Sequence, residues 1–231
     1  MNDYIDVEDI RIEIEYKKIK NMYLKVLPPD GEVKVIAPKR MTEAEIYRFV
    51  STKVDWIRAA QAKYENMPKP LVYKYETGEF HYLWGQSYEL WVVTGSPNRV
   101  WLREDKLMMQ VKPHSTVEER ETLMEKWYKE QLKLAMRSMC EQCVEVTGRG
   151  PKEWRVKNMK TKWGTCNVTD GRIWLNVQLA KKPKECLEYV ILHELTHLYV
   201  PNHGPEFKAY MDRFCPNWRA VKKRLNEPLG G

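Results

Sequence analysis

The segment His193-Glu194-Leu195-Thr196-His197-Leu198-Tyr199-Val200-Pro201-Asn202-His203 constrains the chain more than any other, because it gathers three of its five histidines. On a helix, residues four apart project from nearly the same face, so His193 and His197 can direct imidazole nitrogens at one ion. The preceding residues favour a helix. Pro183 suits a first-turn position, Glu185 lies near the positive end, and Leu187, Val190, Ile191, Leu195 and Leu198 are apolar. At ~100° per residue, Leu187, Ile191, Leu195 and Leu198 form one stripe, the two histidines another, and Glu194 falls between them. A carboxylate at the edge of a core is costly unless it is paired or chemically employed.

His203 adds a geometric condition. A continuous helix would carry it ~9 Å farther along the axis and rotate it away from His197, so the helix must stop. Pro201 stops it, having no N–H and a ring that clashes with the carbonyl of His197, four residues back. Gly204-Pro205 restarts the chain with proline at a natural first helical position, and Phe207, Tyr210, Met211 and Phe214 give the next helix a buried face. The segment therefore predicts a metal held by His193, His197 and His203, with Glu194 as general base and not a ligand. Three neutral nitrogens leave a fourth position open, as in catalytic rather than structural zinc sites. One zinc per chain is the expectation, although imidazoles also suit other divalent metals. A chance HExxH pattern on an amphipathic helix accounts less well for the third histidine and the helix break together.

Ahead of this segment the chain reads first as strands. Residues 11–16 alternate with period two, 22–26 read as their partner, Pro28-Pro29-Asp30-Gly31 punctuates, and 32–36 form a third strand. Thr42 and Glu45 have capping-box spacing, and Ile46, Phe49, Val50, Val54 and Ile57 predict a helix to about residue 64, ended by Pro68 and Pro70. Strands follow at 80–84, 88–93 and 100–103 within a strand-rich stretch from 79 to 111, with turns at Gly85-Gln86 and Gly95-Ser96-Pro97. Residues 116–146 are helical, with Leu123, Trp127, Leu132, Leu134 and Met136 too scattered for a single seam, which predicts burial on more than one side. No internal repeat is evident.

Of 231 residues, 43% are hydrophobic and 31% charged, a balance that fits a folded chain and excludes a disordered one. No apolar run approaches a membrane span, and the acidic start, MNDYIDVEDI, predicts no signal peptide. Five cysteines, an odd number, fit reduced thiols in the cytoplasm better than a disulfide framework. Cys140-x-x-Cys143 has no second pair at similar spacing, and with Met136, Met139 and Val144 it falls at helical spacing, so these thiols read as core. The 39 Lys and Arg against 32 Asp and Glu give a net charge of +7, most simply a solvated basic surface. A sharper reading rests on Lys152, Arg155, Lys157, Lys160 and Lys162 with Trp154 and Trp163 interleaved, a mixture able to bind a phosphate backbone and stack bases.

The chain resembles the YgjP-like group of metallopeptidases, relatives of the SprT-like and Spartan-type zinc proteases. The resemblance lies in Lys162-Trp163-Gly164-Thr165-Cys166, Ile173-Trp174-Leu175-Asn176, the HExxH histidines with His203 and Phe207, and Pro216-Asn217-Trp218. It extends to Pro29-Asp30-Gly31, Ala37-Pro38-Lys39-Arg40 and Trp56-Ile57, with Thr165 where serine is common. The interval from His197 to His203 equals that of metzincins, but Val200 replaces their turn glycine. The resemblance implies a zincin-like catalytic half and a zinc hydrolase. The expected fold is α+β, with a strand-rich N-terminal region containing one helix (1–112) and a zincin-like metallopeptidase domain (113–231).

The expected activity is cleavage of a peptide or protein substrate by metal-assisted hydrolysis, without membrane attachment. The alternative is a nucleic-acid-associated protease or binding module using residues 152–162, and a third reading is a metal-binding scaffold, against which the intact Glu194 argues. Trp163, Gly164, Trp174, Asn176 and Tyr199 are candidate substrate-binding residues. Residues 172–176, after a Thr169-Asp170-Gly171 turn, read either as an edge strand that an extended peptide could join or as an ordinary core strand. Tyr199, Tyr210 and Arg172 are the candidate oxyanion donors.

Overall fold

The computed structural model describes residues 3–27, 30–65 and 72–229; Pro28, Pro29, Pro68 and Pro70 lie outside them. The chain forms two compact units, 1–72 and 73–231.

In the first unit, β1 (Asp3–Val7), β2 (Ile10–Lys17), β3 (Tyr23–Leu27) and β4 (Glu32–Pro38) form one sheet in the order β1-β2-β4-β3. Strand β3 does not pair with β2, as residues 22–26 were expected to; it pairs antiparallel with β4, and β2 lies parallel to β4 with Ile12 opposite Val33. Ile10, Ile12, Ile14, Val33, Val35 and Ala37 alternate onto the buried face, where Ile46, Val50, Val54 and Ile57 cover them. These four come from α1 (Glu43–Ser51), which opens with the expected Thr42/Glu45 capping box, and α2 (Val54–Glu65). The single helix expected to residue 64 is thus broken. Ser51 Oγ donates to the Tyr47 carbonyl and Thr52 Oγ1 to that of Phe49, both at 2.8 Å. Such back-bonding gives the backbone an alternative to the next helical turn.

The second unit opens with the same strand plan. β5 (Phe80–Leu83), β6 (Gln86–Thr94), β7 (Arg99–Arg103) and β8 (Lys106–Val111) run in the order β5-β6-β8-β7, again with two antiparallel pairs about a parallel one. The arrangement repeats although the residues do not. α3 (Val117–Thr147) starts at a Thr116/Glu119 capping box and ends at Gly148, whose φ of 75° is a left-handed cap that favours glycine. Trp127, Leu132 and Met136 are buried, as are Cys140 and Cys143, so these thiols belong to the core; Leu134 is 54% exposed, against the expectation for it. A three-stranded sheet follows, β9 (Glu153–Lys157), β10 (Gly164–Asn167) and β11 (Arg172–Asn176), in the order β10-β11-β9. Strand β11 is therefore central, and β10 and β9 are the edges. A 3-10 turn (Val177–Lys181), α4 (Lys184–Thr196), α5 (Pro205–Phe214) and α6 (Trp218–Asn226) complete the unit. No helix among the described residues is long and apolar enough to cross a membrane.

The compact units divide at 72/73, and packing gives the reason. Leu83, Leu90, Leu107, Met109 and Val111 of the second four-stranded sheet lie in one continuous core with Leu132 of α3, Leu175 of β11 and Leu187 of α4. Full burial of each such side chain stabilises by ~1.5–3 kcal/mol, and five together rival a domain's net stability of about 5–15 kcal/mol. A fragment of residues 73–231 is therefore expected to unfold cooperatively in urea, whereas residues 113–231 alone should show no cooperative transition. Equal cooperativity in the two fragments would contradict this division.

Candidate active site

α4 begins one residue later than its proline suggested, with Pro183 as the N-cap, and ends at Thr196 with His197 as the C-cap residue. The chain then leaves the helix through short turns: Leu198 N–H donates to the Leu195 carbonyl at 3.0 Å, and Tyr199 and Val200 N–H both to that of Thr196. Pro201 has no N–H to offer His197, so the ladder ends there. Gly204 is the N-cap of α5 and Pro205 its first residue, as the sequence predicts. The consequence is convergence. The ligand-type nitrogens of His193, His197 and His203 all lie within 4.8 Å of one another, with His193 Nε2 3.1 Å from His203 Nε2.

The surroundings prepare these rings. His197 Nδ1 lies 3.1 Å from the Val200 carbonyl. Donation there puts the proton on Nδ1 and leaves Nε2 a free lone pair, the state a metal ligand needs. Phe207, buried on α5, packs its ring 4.7–4.9 Å from all three imidazoles. Burial, then the neighbouring His197 and His203 and the Lys222 ammonium, holds the His193 pKa down at about 3; burial also lowers that of His197. Both rings are thus neutral at ordinary pH, as coordination requires. This donor set of imidazole nitrogens fits zinc, and no other group of three or more His, Cys, Asp or Glu among the described residues converges in this way.

Glu194 is only 5% exposed and lies against edge strand β10. The approach requires a glycine: a Cβ on Gly164 would stand 2.6 Å from Glu194 Oε1 and 2.7 Å from its Cγ. Burial raises the Glu194 pKa to about 8, opposed by the Lys162 ammonium and hydrogen bonding from the Cys166 backbone. A carboxyl with a pKa near neutral can both accept and return a proton. His193, Glu194, His197 and His203 line a cleft of about 510 Å³ together with residues of β10 and α6.

Two of the five expected substrate residues, Trp163 and Gly164, line this cleft; Trp174, Asn176 and Tyr199 do not. Trp174 sits on the other face of the three-stranded sheet, beneath the cations of Arg155 and Lys157 at 5.3 and 4.6 Å. Asn176 is buried and structural, donating to the Met159 and Lys162 carbonyls and accepting from the Met159 and Gln178 N–H groups. Tyr199 points its hydroxyl at the Thr147 carbonyl and stacks on Tyr210 at 4.9 Å. With Arg149, which lies over the Tyr199 ring and donates to the Leu198 carbonyl, it pins the turn after α4 to the end of α3. Arg172 is paired with Glu153 and Asp170. None of the three candidate oxyanion donors, Tyr199, Tyr210 or Arg172, lines the cleft.

The basic cluster is divided as well: Lys162 and Trp163 face the cleft, Trp154 packs against the core, and Arg155 and Lys157 lie on the opposite sheet face. The sequence reading missed Cys166 and the α6 residues Lys222, Leu225 and Asn226, which also line the cleft. The spacing of the last three, i, i+3 and i+4, marks one helix face, but only the fold shows what that face meets.

No curated protein sequence matches the chain. Two solved structures are similar over part of it. One is the metallopeptidase zymogen of Pyrococcus abyssi abylysin, with TM-score 0.37 and 19% identity over 39% of this chain and 90% of that one. The other is the metallopeptidase zymogen of Methanocaldococcus jannaschii jannalysin, with TM-score 0.35 and 20% identity over 39% of this chain and 92% of that one. A family model for the YgjP-like metallopeptidase domain matches residues 20–228, nearly the full length, and the chain therefore belongs to the YgjP-like family of metallopeptidases.

Proposed function

We propose that this metallopeptidase uses one zinc ion per chain, held by His193, His197 and His203, to hydrolyse peptide or protein substrates with Glu194 as general base. The observation that carries the reading is the convergence of three imidazoles on a cleft, beside one buried carboxyl group. Zinc bound there supplies polarisation of the scissile carbonyl and a low-pKa water. Glu194 takes the proton of the attacking water and delivers it to the leaving amine. Burial on α4 and contact with Gly164 keep its carboxylate aimed at the cleft, and its raised pKa suits both halves of the transfer. An extended substrate would lie along the edge strand β10, adding backbone hydrogen bonds to the sheet. The odd number of thiols supports a cytoplasmic setting. The nucleic-acid alternative draws less support, because residues 152–162 are divided between two faces of the sheet.

Glu194→Gln keeps the size and reach of the side chain but removes the base. Zinc content should stay near one per chain and the melting temperature should not fall, since the amide matches in size a buried carboxyl that its raised pKa of about 8 keeps largely uncharged at neutral pH. Hydrolysis of a library-selected peptide should drop ~10²–10⁴-fold. Loss of zinc with this substitution would make Glu194 a ligand, and unchanged cleavage would place the base elsewhere. His203 is exposed, so His203→Ala should leave folding intact while weakening zinc in a chelator competition; equal affinity would remove it from the ligand set.

Gly164→Ala acts on the base alone. Its new methyl group must displace a buried carboxylate, at a cost of ~1–3 kcal/mol in stability, and the three imidazoles are untouched. Turnover should fall severalfold or more with zinc affinity near wild type. Full activity with unchanged stability would show that the close approach is unimportant.

A further inference from the structure

The cleft carries an electrostatic asymmetry that peptide hydrolysis does not itself require. Lys162, just ahead of β10, and Lys222, on α6, both line it, and neither ammonium forms an ion pair among the described residues. The contrast with their neighbours on α6 is direct: Arg219 is paired with Asp212 at 2.6 Å, and Arg224 with Glu185. Glu194 is the single Asp or Glu on the cleft wall, and it is buried at the floor. The two lysines belong to walls that are tied together, since the Trp163 indole N–H donates to Asn226 Oδ1 at 3.3 Å. Trp163, next to Lys162, offers apolar surface on the cleft wall. A concave site lined by one sign of charge focuses its field and raises the local concentration of ligands of the opposite sign.

We propose that Lys162 and Lys222 make this a cleft for peptides that carry a carboxylate close to the scissile bond, with Trp163 taking the adjoining apolar part. The inference rests on the peptidase reading of the same site. The carboxylate can come from an Asp or Glu side chain or from a free C-terminus. Each exposed ammonium adds a few-fold to such a pairing, so two together give a preference of about 10-fold.

The test uses the full-length, zinc-loaded protein and an alanine–leucine hexapeptide scaffold, with Glu, Gln or Lys placed at each position in turn, as free acid and as C-terminal amide. At one position or more, the Glu peptide should exceed its Gln counterpart about 10-fold in kcat/KM. The gap should shrink as salt rises from about 20 to about 300 mM, and fall to within about twofold in the Lys162→Met/Lys222→Met variant. Lys222→Glu should move the preference toward the Lys peptide. A gain that follows the free C-terminus instead of the side chain identifies the terminal carboxylate as the group received.

The same peptides are titrated against zinc-loaded Glu194→Gln, where binding is read without turnover. Tighter binding of acidic peptides with no hydrolysis by the wild type keeps this inference and overturns the peptidase reading. Hydrolysis with Glu and Gln peptides cleaved and bound equally does the reverse. Neither hydrolysis nor discrimination overturns both.

Discussion

Three imidazoles can meet only if the chain abandons its helix at His197 and returns within six residues. A helix continued through that interval would send His203 up the axis, so everything at this site depends on how the turn is enforced. Pro201 withholds the hydrogen bond that His197 would have accepted, and the Val200 carbonyl then faces His197 Nδ1 and fixes its tautomer. From outside, Arg149 and the Thr147 carbonyl hold Leu198 and Tyr199, so the left-handed end of α3 at Gly148 anchors the turn that carries the third histidine. Phe207 packs against all three rings from within. Structural residues far apart in sequence thereby set a distance of 3.1 Å between two imidazole nitrogens.

The second constraint is the absence of a side chain at Gly164. Because β10 is an edge strand of its sheet, its backbone can press on Glu194 while its unpaired side stays available. Burial of that carboxyl would be a plain loss in a structural role; here it brings the pKa into the range where proton transfer in both directions is possible. The same strand thus holds the Glu194 carboxyl in place and borders the cleft.

What the sequence revealed was the local part of this design. The convergence of His193, His197 and His203, the chain break before Pro201, the restart at Gly204-Pro205, the Thr42 capping box and the burial of Cys140 and Cys143 all follow from short-range geometry, and all appear in the fold. Non-local pairing was hidden. Period-two alternation shows which face of β2 is buried but not that β4, rather than β3, lies beside it. Nor can it show that two sheets share one strand order, or that the strands at 80–111 complete a core with α3. The surroundings of polar and aromatic residues were hidden for a related reason. Asn176 and Tyr199 are composed like site residues, but their hydrogen-bonding groups are spent on backbone carbonyls, and Trp174 alternates onto the far face of its sheet.

The coordination of the proposed centre is directly measurable. X-ray absorption at the zinc edge, on protein loaded with one equivalent, should show three imidazole nitrogens and one further nitrogen or oxygen donor at about 2.0–2.1 Å. Two imidazoles only, or a sulfur at about 2.3 Å, would contradict a site built from His193, His197 and His203.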